Sequence, residues 1–433
     1  MKKTITSAGL LILGAATLHA QRTSYAPAPG LTSTELTKPW SISASLRGFY
    51  DDNYATQPSR IGGVKNPAKD EAFGFEVSPS ATFRWTLPQT YLGLSYRYGL
   101  QWYEGRPGRN YDQLHEAEAK LSHSFTERHK LEVSDRFVSA QEPELLDPAA
   151  GRLRTRGDNI HNLGNINFSA DLTDQAGISV GYTNHYYDYD DSFKPGNATA
   201  SYSALLDRVE HLAHVNLRWQ AAPETTAIVG YQYGVVDYTS NENLFPGVPG
   251  STILGKDRDN DSHYVFLGVD HNLNSKLQAS ARVGAQFTQY DHFTHEDTIS
   301  PYADASLTYA YSPTGSYAML GVRHARNATD VANNLGTIPN LDQETTTVYG
   351  SINHKFTAKL TGSALATVMF SDFQGGGVDN KSELFLLTGV NLTYDINKYL
   401  AAEVGYNFDR LDSDIVFRSY TRNRVYIGLR ASY

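Results

Sequence analysis

The chain ends Arg424-Val425-Tyr426-Ile427-Gly428-Leu429-Arg430-Ala431-Ser432-Tyr433. In an extended strand successive side chains point to opposite faces. Val425, Ile427, Leu429, Ala431 and Tyr433 therefore share one face, and Arg424, Tyr426, Gly428, Arg430 and Ser432 the other. A terminal strand with an apolar face needs a neighbour. Left open in water, such an edge invites aggregation; paired with the first strand of a closed barrel, it disappears.

The rest of the chain repeats the pattern. From Trp40 onward, alternation at period two recurs in segment after segment. Trp40, Ile42, Ala44 and Leu46 oppose Ser41, Ser43, Ser45 and Arg47. Phe73, Phe75, Val77, Ala81, Phe83 and Trp85 oppose Glu76, Ser78, Ser80, Thr82 and Arg84. Leu360, Ala364, Ala366, Val368 and Phe370 oppose Thr361, Ser363, Thr367 and Ser371. The links between segments alternate in length. Long polar ones fall at 51–70, 106–110, 142–158, 188–201, 240–259, 291–297, 327–344, 373–381 and 411–421. Short ones fall at 86–90, 126–130, 173–177, 221–225, 272–276, 312–315, 357–359 and 395–398. This rhythm predicts an all-β, transmembrane, antiparallel up-and-down barrel of about eighteen strands. Long loops face the exterior, and short turns face the periplasm with both barrel ends.

Bulk properties agree. Lys2 and Lys3 followed by the apolar Ile5–Leu13 read as a secretory signal, with a cut expected after Ala20. The expected organisation is a signal peptide at 1–20, a periplasmic tail at 21–39 and the barrel at 40–433. The net charge is -9, and loss of Lys2 and Lys3 would move it to -11, which argues against a nucleic-acid partner. No cysteine is present, which excludes disulfides, thiolate metal sites and a cysteine nucleophile. Mean hydropathy is negative, as expected where lipid-facing and lumen-facing residues alternate.

Aromatic residues fall near the strand ends. Trp40, Trp85, Trp219, Phe125, Phe356, Tyr394 and Tyr433 lie by the short turns, and Tyr50, Trp102, Tyr186, Tyr233, Phe287 and Phe370 by the long loops. Two such belts suit interfacial anchoring. Tyr433 as an outward terminal aromatic resembles the assembly signal of bacterial outer-membrane barrels.

The predicted inward face carries the candidate chemistry. Its basic positions are Arg47, Arg84, Arg97, Lys120, Arg136, Arg218, Arg282, Arg323, Lys355, Arg424 and Arg430, and its acidic ones Glu76, Glu116, Glu118, Asp171, Glu210, Asp304, Glu403 and Asp409. An eighteen-stranded barrel is wide enough for an aqueous lumen, where charged side chains tune ion selectivity. The basic excess suggests anions or acidic sugars; pairing across strands would instead make the same charges structural. Phe49, Tyr302, Tyr349, Tyr426, Asn165, Asn167, Gln232, Gln286, Asn353, Asn391 and Asn407 share this face and could stack and hydrogen-bond sugars.

Asp257, Asp259 and Asp261 are spaced like half of a calcium loop, without its central glycine and distal glutamate. Acidic surface loops are the plainer reading. His211 and His214 fall on opposite strand faces, so they make no metal pair. No nucleophile motif stands out, so enzyme activity is not expected, and no cofactor is implied.

The tracts Phe75-Glu76-Val77-Ser78-Pro79-Ser80, Leu92-Gly93-Leu94-Ser95-Tyr96 and Leu273-Asn274-Ser275-Lys276-Leu277, the last leading into Ala279-Ser280-Ala281-Arg282-Val283-Gly284, carry a resemblance. The region from about Trp40 to Tyr433 resembles the putative β-barrel porin 2 family of bacterial outer membranes. The resemblance implies a porin-like outer-membrane barrel, in some cases linked to exopolysaccharide export, and no catalytic residues. The expected function is passive diffusion of small hydrophilic solutes. An exopolysaccharide secretion channel and a structural or adhesive barrel without an open pore are the alternatives. Expected partners are membrane lipid, lipopolysaccharide and the barrel-assembly machinery.

Overall fold

A computed structural model describes residues 39–58, 60–61, 64–66, 70–141, 157–190, 200–312, 315–331, 339–416 and 418–433. The expected signal peptide and nearly all of the tail lie outside these residues. Eighteen antiparallel strands form one closed sheet in which neighbours in sequence are neighbours in space. They are β1 (Trp40–Asp51), β2 (Ala72–Thr86), β3 (Thr90–Tyr103), β4 (Tyr111–Ser124), β5 (His129–Ala140) and β6 (Asn159–Asp171). β7 (Ala176–Tyr189), β8 (Arg208–Ala222), β9 (Thr225–Tyr238), β10 (Asn260–Asn274), β11 (Leu277–Tyr290) and β12 (Thr298–Ser312) follow. β13 (Ser316–Asn327), β14 (Asp342–Lys355), β15 (Leu360–Gln374), β16 (Ser382–Asp395), β17 (Leu400–Ser413) and β18 (Tyr420–Ser432) complete the wall.

The expected strand count and closure both hold. β18 pairs with β1 in the register Ser43↔Ser432 through Asp51↔Arg424. Tyr433 extends the ladder: its N–H donates to the Ile42 carbonyl at 2.8 Å, and Ile42 N–H donates back at 3.1 Å. Its ring lies 5.7 Å from Trp40 and 6.1 Å from Tyr399. No helix among the described residues is long and apolar enough to cross a membrane; the strands do the crossing.

Five of the short turns share one chemistry. A Thr or Asn side-chain oxygen accepts the backbone N–H two and three residues on, at Thr126, Thr173, Asn274, Thr357 and Asn397. These polar side chains close the chain locally and need no further support. At the opposite rim, aspartates in the long loops accept strand-end N–H groups: Asp207 from Tyr189, Asp259 from Tyr238 and Asp297 from Tyr290, at 2.7–3.0 Å.

The outer face is apolar and exposed, with Ile42, Leu217, Leu267, Val283 and Ile427 among many bare side chains. In water this would be an aggregation surface; in lipid it is the required solvent match. Both aromatic belts are present. Outward tyrosines at mid-strand turn their hydroxyls to histidines nearer the long loops on the next strand: Tyr96–His115 at 2.9 Å, Tyr182–His211 at 2.6 Å and Tyr231–His263 at 2.7 Å. The polar tip of each ring is thereby satisfied on the apolar face.

Several long links hold short elements that alternation could not reveal. A small hairpin joins Arg60–Ile61 to Val64–Lys65. A one-turn helix, α1 (Tyr202–Leu206), begins where the Ser201 hydroxyl accepts the Ala204 N–H at 3.0 Å. β14 starts at Asp342, two residues before the expected end of its loop, because Arg326 anchors both Asp342 and Glu344.

Deleting Tyr433 removes two ladder hydrogen bonds and the aromatic contacts that close the barrel. We expect a lower yield of heat-modifiable barrel on unheated gels, with synthesis and export unchanged. Normal folded levels would separate this residue from assembly.

Candidate functional site: the charged inner wall

Arg47 sits at the centre of the inner wall beside the seam where the chain's two ends meet. Its Nε and Nη2 grip both oxygens of Glu403 at 2.7 and 3.1 Å, and its Nη1 donates to Glu76 at 3.2 Å. Glu76 also accepts from Arg424 at 3.4 Å and Gln101 at 3.3 Å. Arg424 lies 4.1 Å above the Phe49 ring, and Arg47 lies 4.9 Å from the centre of the Tyr426 ring.

Strand register makes this geometry possible. Arg47 faces Glu76 directly across β1 and β2. Glu403 belongs to β17, one strand beyond β18, and both Arg47 and Glu403 are register partners of Gly428. A Cβ at 428 would stand 2.7 Å from Arg47 Cγ and 2.5 Å from the Leu46 carbonyl. The missing side chain is therefore the gap through which Arg47 crosses β18. All three charged groups are buried, so their bidentate contacts offset a large desolvation cost.

The charge row continues around the wall. Glu116 receives Arg97 Nε at 2.9 Å and Arg136 Nε at 3.1 Å, and Lys120 meets Glu118 at 2.8 Å. Over β17, β18 and β1–β5, this row places Arg47, Arg424, Arg97 and Arg136 against Glu403, Glu76 and Glu116. Further round, Arg218 contacts Asp171 at 3.0 Å and Arg282 contacts Asp270 at 2.9 Å. Arg323 faces Asp304 in register, and Glu210 is paired with Arg208 at 2.7 Å. Arg84 and Arg430 also take inward positions near the short-turn end. Many of these wall charges thus lie in ion pairs between strands.

Alternation left out the arginines nearest the long loops. Arg422 is almost wholly buried and binds Asp51 through Nε at 2.9 Å and Nη2 at 2.6 Å, closing the upper end of the seam. Its inward parity is legible from Arg424 and Tyr426, but it adjoins residues assigned to a loop. Arg326 meets Asp342 and Glu344, and Arg418 joins Asp330 to Glu383 at 2.9 and 2.6 Å.

Loops fold into this end of the barrel. α1 packs on the inward-facing Tyr187 and Tyr189 through Leu206. Ala204 joins Leu244 and Phe245 of the β9–β10 loop in a second apolar cluster. Arg208 lies 3.7 Å over Tyr187, and Arg258 lies 4.0 Å over Tyr238. On the other side of the mouth, a cleft of about 420 Å³ is lined by Tyr54, Asp70, Arg106, Arg109, Gln141 and Asp158 among others.

The three aspartates of the calcium-like spacing do not converge. Asp257 caps the Leu254 N–H at 2.8 Å, Asp259 takes the Tyr238 N–H at 2.7 Å, and Asp261 lies 3.5 Å from His263 on the outer face. Among the described residues, no group of three or more histidines and carboxylates is placed to hold a metal.

Burial pushes the Asp207 and Asp259 carboxyls up to about 6, whereas an unfolded aspartate titrates near about 3.9. Between these values the folded loops hold protons that the unfolded chain has released. Their stability therefore falls as pH rises through about 4 to 6 and is lowest above that window. Limited proteolysis of 239–258 should be slower at about pH 4 than at about pH 7 after correction for protease activity. Asp207→Asn with Asp259→Asn should flatten the difference. At the seam, Gly428→Leu should displace Arg47 and destabilise the barrel by about 3 kcal/mol or more, read from urea unfolding in lipid vesicles.

A closed sheet with an apolar exterior and a charged interior defines a transmembrane β-barrel. Residues 251–433, from the β9–β10 loop to the terminus, match the model of the putative β-barrel porin 2 family. No curated relative matches the chain. Among solved structures, the chain is similar to OpdQ of Pseudomonas aeruginosa, at 13% identity and TM-score 0.43 over 92% of this chain and 100% of that one. It is also similar to a BenF-like porin from Pseudomonas fluorescens Pf-5, at 13% identity and TM-score 0.44 over 92% and 99%. OccAB4 of Acinetobacter baumannii is similar at 12% identity and TM-score 0.42 over 92% and 99%.

Proposed function

We propose that the barrel is a passive channel for small hydrophilic solutes with a preference for anions. The observation that carries this reading is the inner charge row, where four guanidiniums face three carboxylates over β17, β18 and β1–β5. Arginine remains charged at all accessible pH values, so the row keeps a net positive field in a low-dielectric wall. Arg84, Arg218 and Arg282 carry guanidiniums further around the lumen, Arg218 and Arg282 each beside a carboxylate. Sugars with acidic groups suit the same wall, since Tyr302, Tyr426, Asn391 and Asn407 share its face.

The inward packing of α1 and the Arg418–Asp330 contact narrow the mouth. That favours small solutes over an acidic exopolysaccharide, the runner-up substrate. Lipopolysaccharide and the barrel-assembly machinery are the partners this reading implies.

Planar-bilayer recording tests the proposal. Stable conductance steps with a reversal potential displaced toward that of the anion are expected. Arg84→Gln, Arg218→Gln and Arg282→Gln together should bring the displacement toward zero without loss of the folded barrel. A folded barrel that stays electrically silent would instead be a structural or adhesive one. Unchanged selectivity in the triple variant would remove these three residues from the permeation path.

A further inference from the structure

Arg258 differs from most of the buried arginines. Arg47, Arg136, Arg208, Arg326, Arg422 and Arg424 each contact a carboxylate. Arg258 is fully buried and, among the described residues, has no carboxylate within ion-pair distance. Its Nη2 donates to the carbonyls of Leu205 at 2.5 Å and Ala204 at 3.3 Å. Its Nε and Nη1 meet no acceptor. Guanidinium has five N–H donors, and the three on these two nitrogens are spare. The hydroxyl of Tyr238, whose ring lies under Arg258, is likewise buried without a partner.

The surroundings raise the demand for negative charge. Arg208, the register partner of both Tyr187 and Tyr238, adds a second buried guanidinium to the cluster. Glu210 already serves Arg208. Asp259, next in sequence to Arg258, is committed to the Tyr238 N–H. Two carbonyls and a ring face offset only part of the cost of a buried cation. A monovalent anion would satisfy the spare donors and the charge together.

We propose that Arg258, with the Tyr238 hydroxyl, forms a binding site for a small monovalent anion in the mouth of the channel. The anion is either a free halide or the carboxylate of a permeating solute. The site deepens the anion-channel reading and rests on it only for its place on the solute path. Because Arg258 ties α1 to the β9–β10 loop, occupancy would hold these two loop elements together.

Hydrogen exchange read by mass spectrometry on peptides from 239–258 tests the site in the full-length folded barrel. Sodium chloride is titrated against sodium gluconate at constant ionic strength, with sodium acetate as a third arm. Chloride should slow exchange in a saturable way, and Arg258→Gln should abolish the response. Equal exchange in all three salts, or a response surviving in Arg258→Gln, overturns the proposal. If Arg258→Gln does not fold, Tyr238→Phe keeps the ring and should raise the chloride concentration needed several-fold; an unchanged midpoint then overturns it. Acetate acting at lower concentration than chloride identifies a solute carboxylate as the occupant; the reverse identifies a free halide. A silent barrel that responds to chloride would sink the pore reading and leave this site standing.

Discussion

The structure depends on closing a sheet whose first and last strands are 371 residues apart at the Asp51–Arg422 contact. Backbone pairing alone would leave this seam like any other strand pair, although joining it carries the largest loop-closure cost in the barrel. Side chains reinforce it at three heights. The Tyr433 ring meets Trp40 at the short-turn rim, Arg47 spans β18 to grip Glu403 at mid-height, and Arg422 holds Asp51 beneath the long loops. The middle contact is the most demanding. It needs an inward glycine at 428, an arginine long enough to cross one strand, and two buried carboxylates to receive it.

The same residues link closure to chemistry. A guanidinium that locks the seam also projects charge along the inner wall. Its pairing with Glu76 and Glu403 lowers the local field without cancelling it, because Arg424 shares Glu76 while Arg97 and Arg136 share Glu116. Wall charges here are thus structural and electrostatic at once.

The barrel was readable in the sequence because its physics is periodic. Lipid on one side and polar lumen on the other force alternation, and the links betray their side by length. Trp40 and Tyr433 could be paired from parity alone. The wall positions Arg47, Glu76 and Arg424 followed from the same rule, but the reach of Arg47 to Glu403 did not. That contact depends on Gly428 as a gap, a property of three strands in register. The mouth was less legible still. α1, Arg208 and Arg258 owe their places to aperiodic packing of two loops against Tyr187 and Tyr238. Asp257, Asp259 and Asp261 are regular in spacing but not gathered in space, since each carboxylate serves a different element.

The most direct test of the seam is a double-mutant cycle on Arg47→Met and Glu403→Gln, with urea unfolding of the barrel in lipid vesicles. A bridge across Gly428 predicts a coupling energy of at least about 1 kcal/mol, so that the double variant loses less stability than the two single losses together. Strict additivity would contradict it and would mean that Arg47 does not bridge β18 to Glu403.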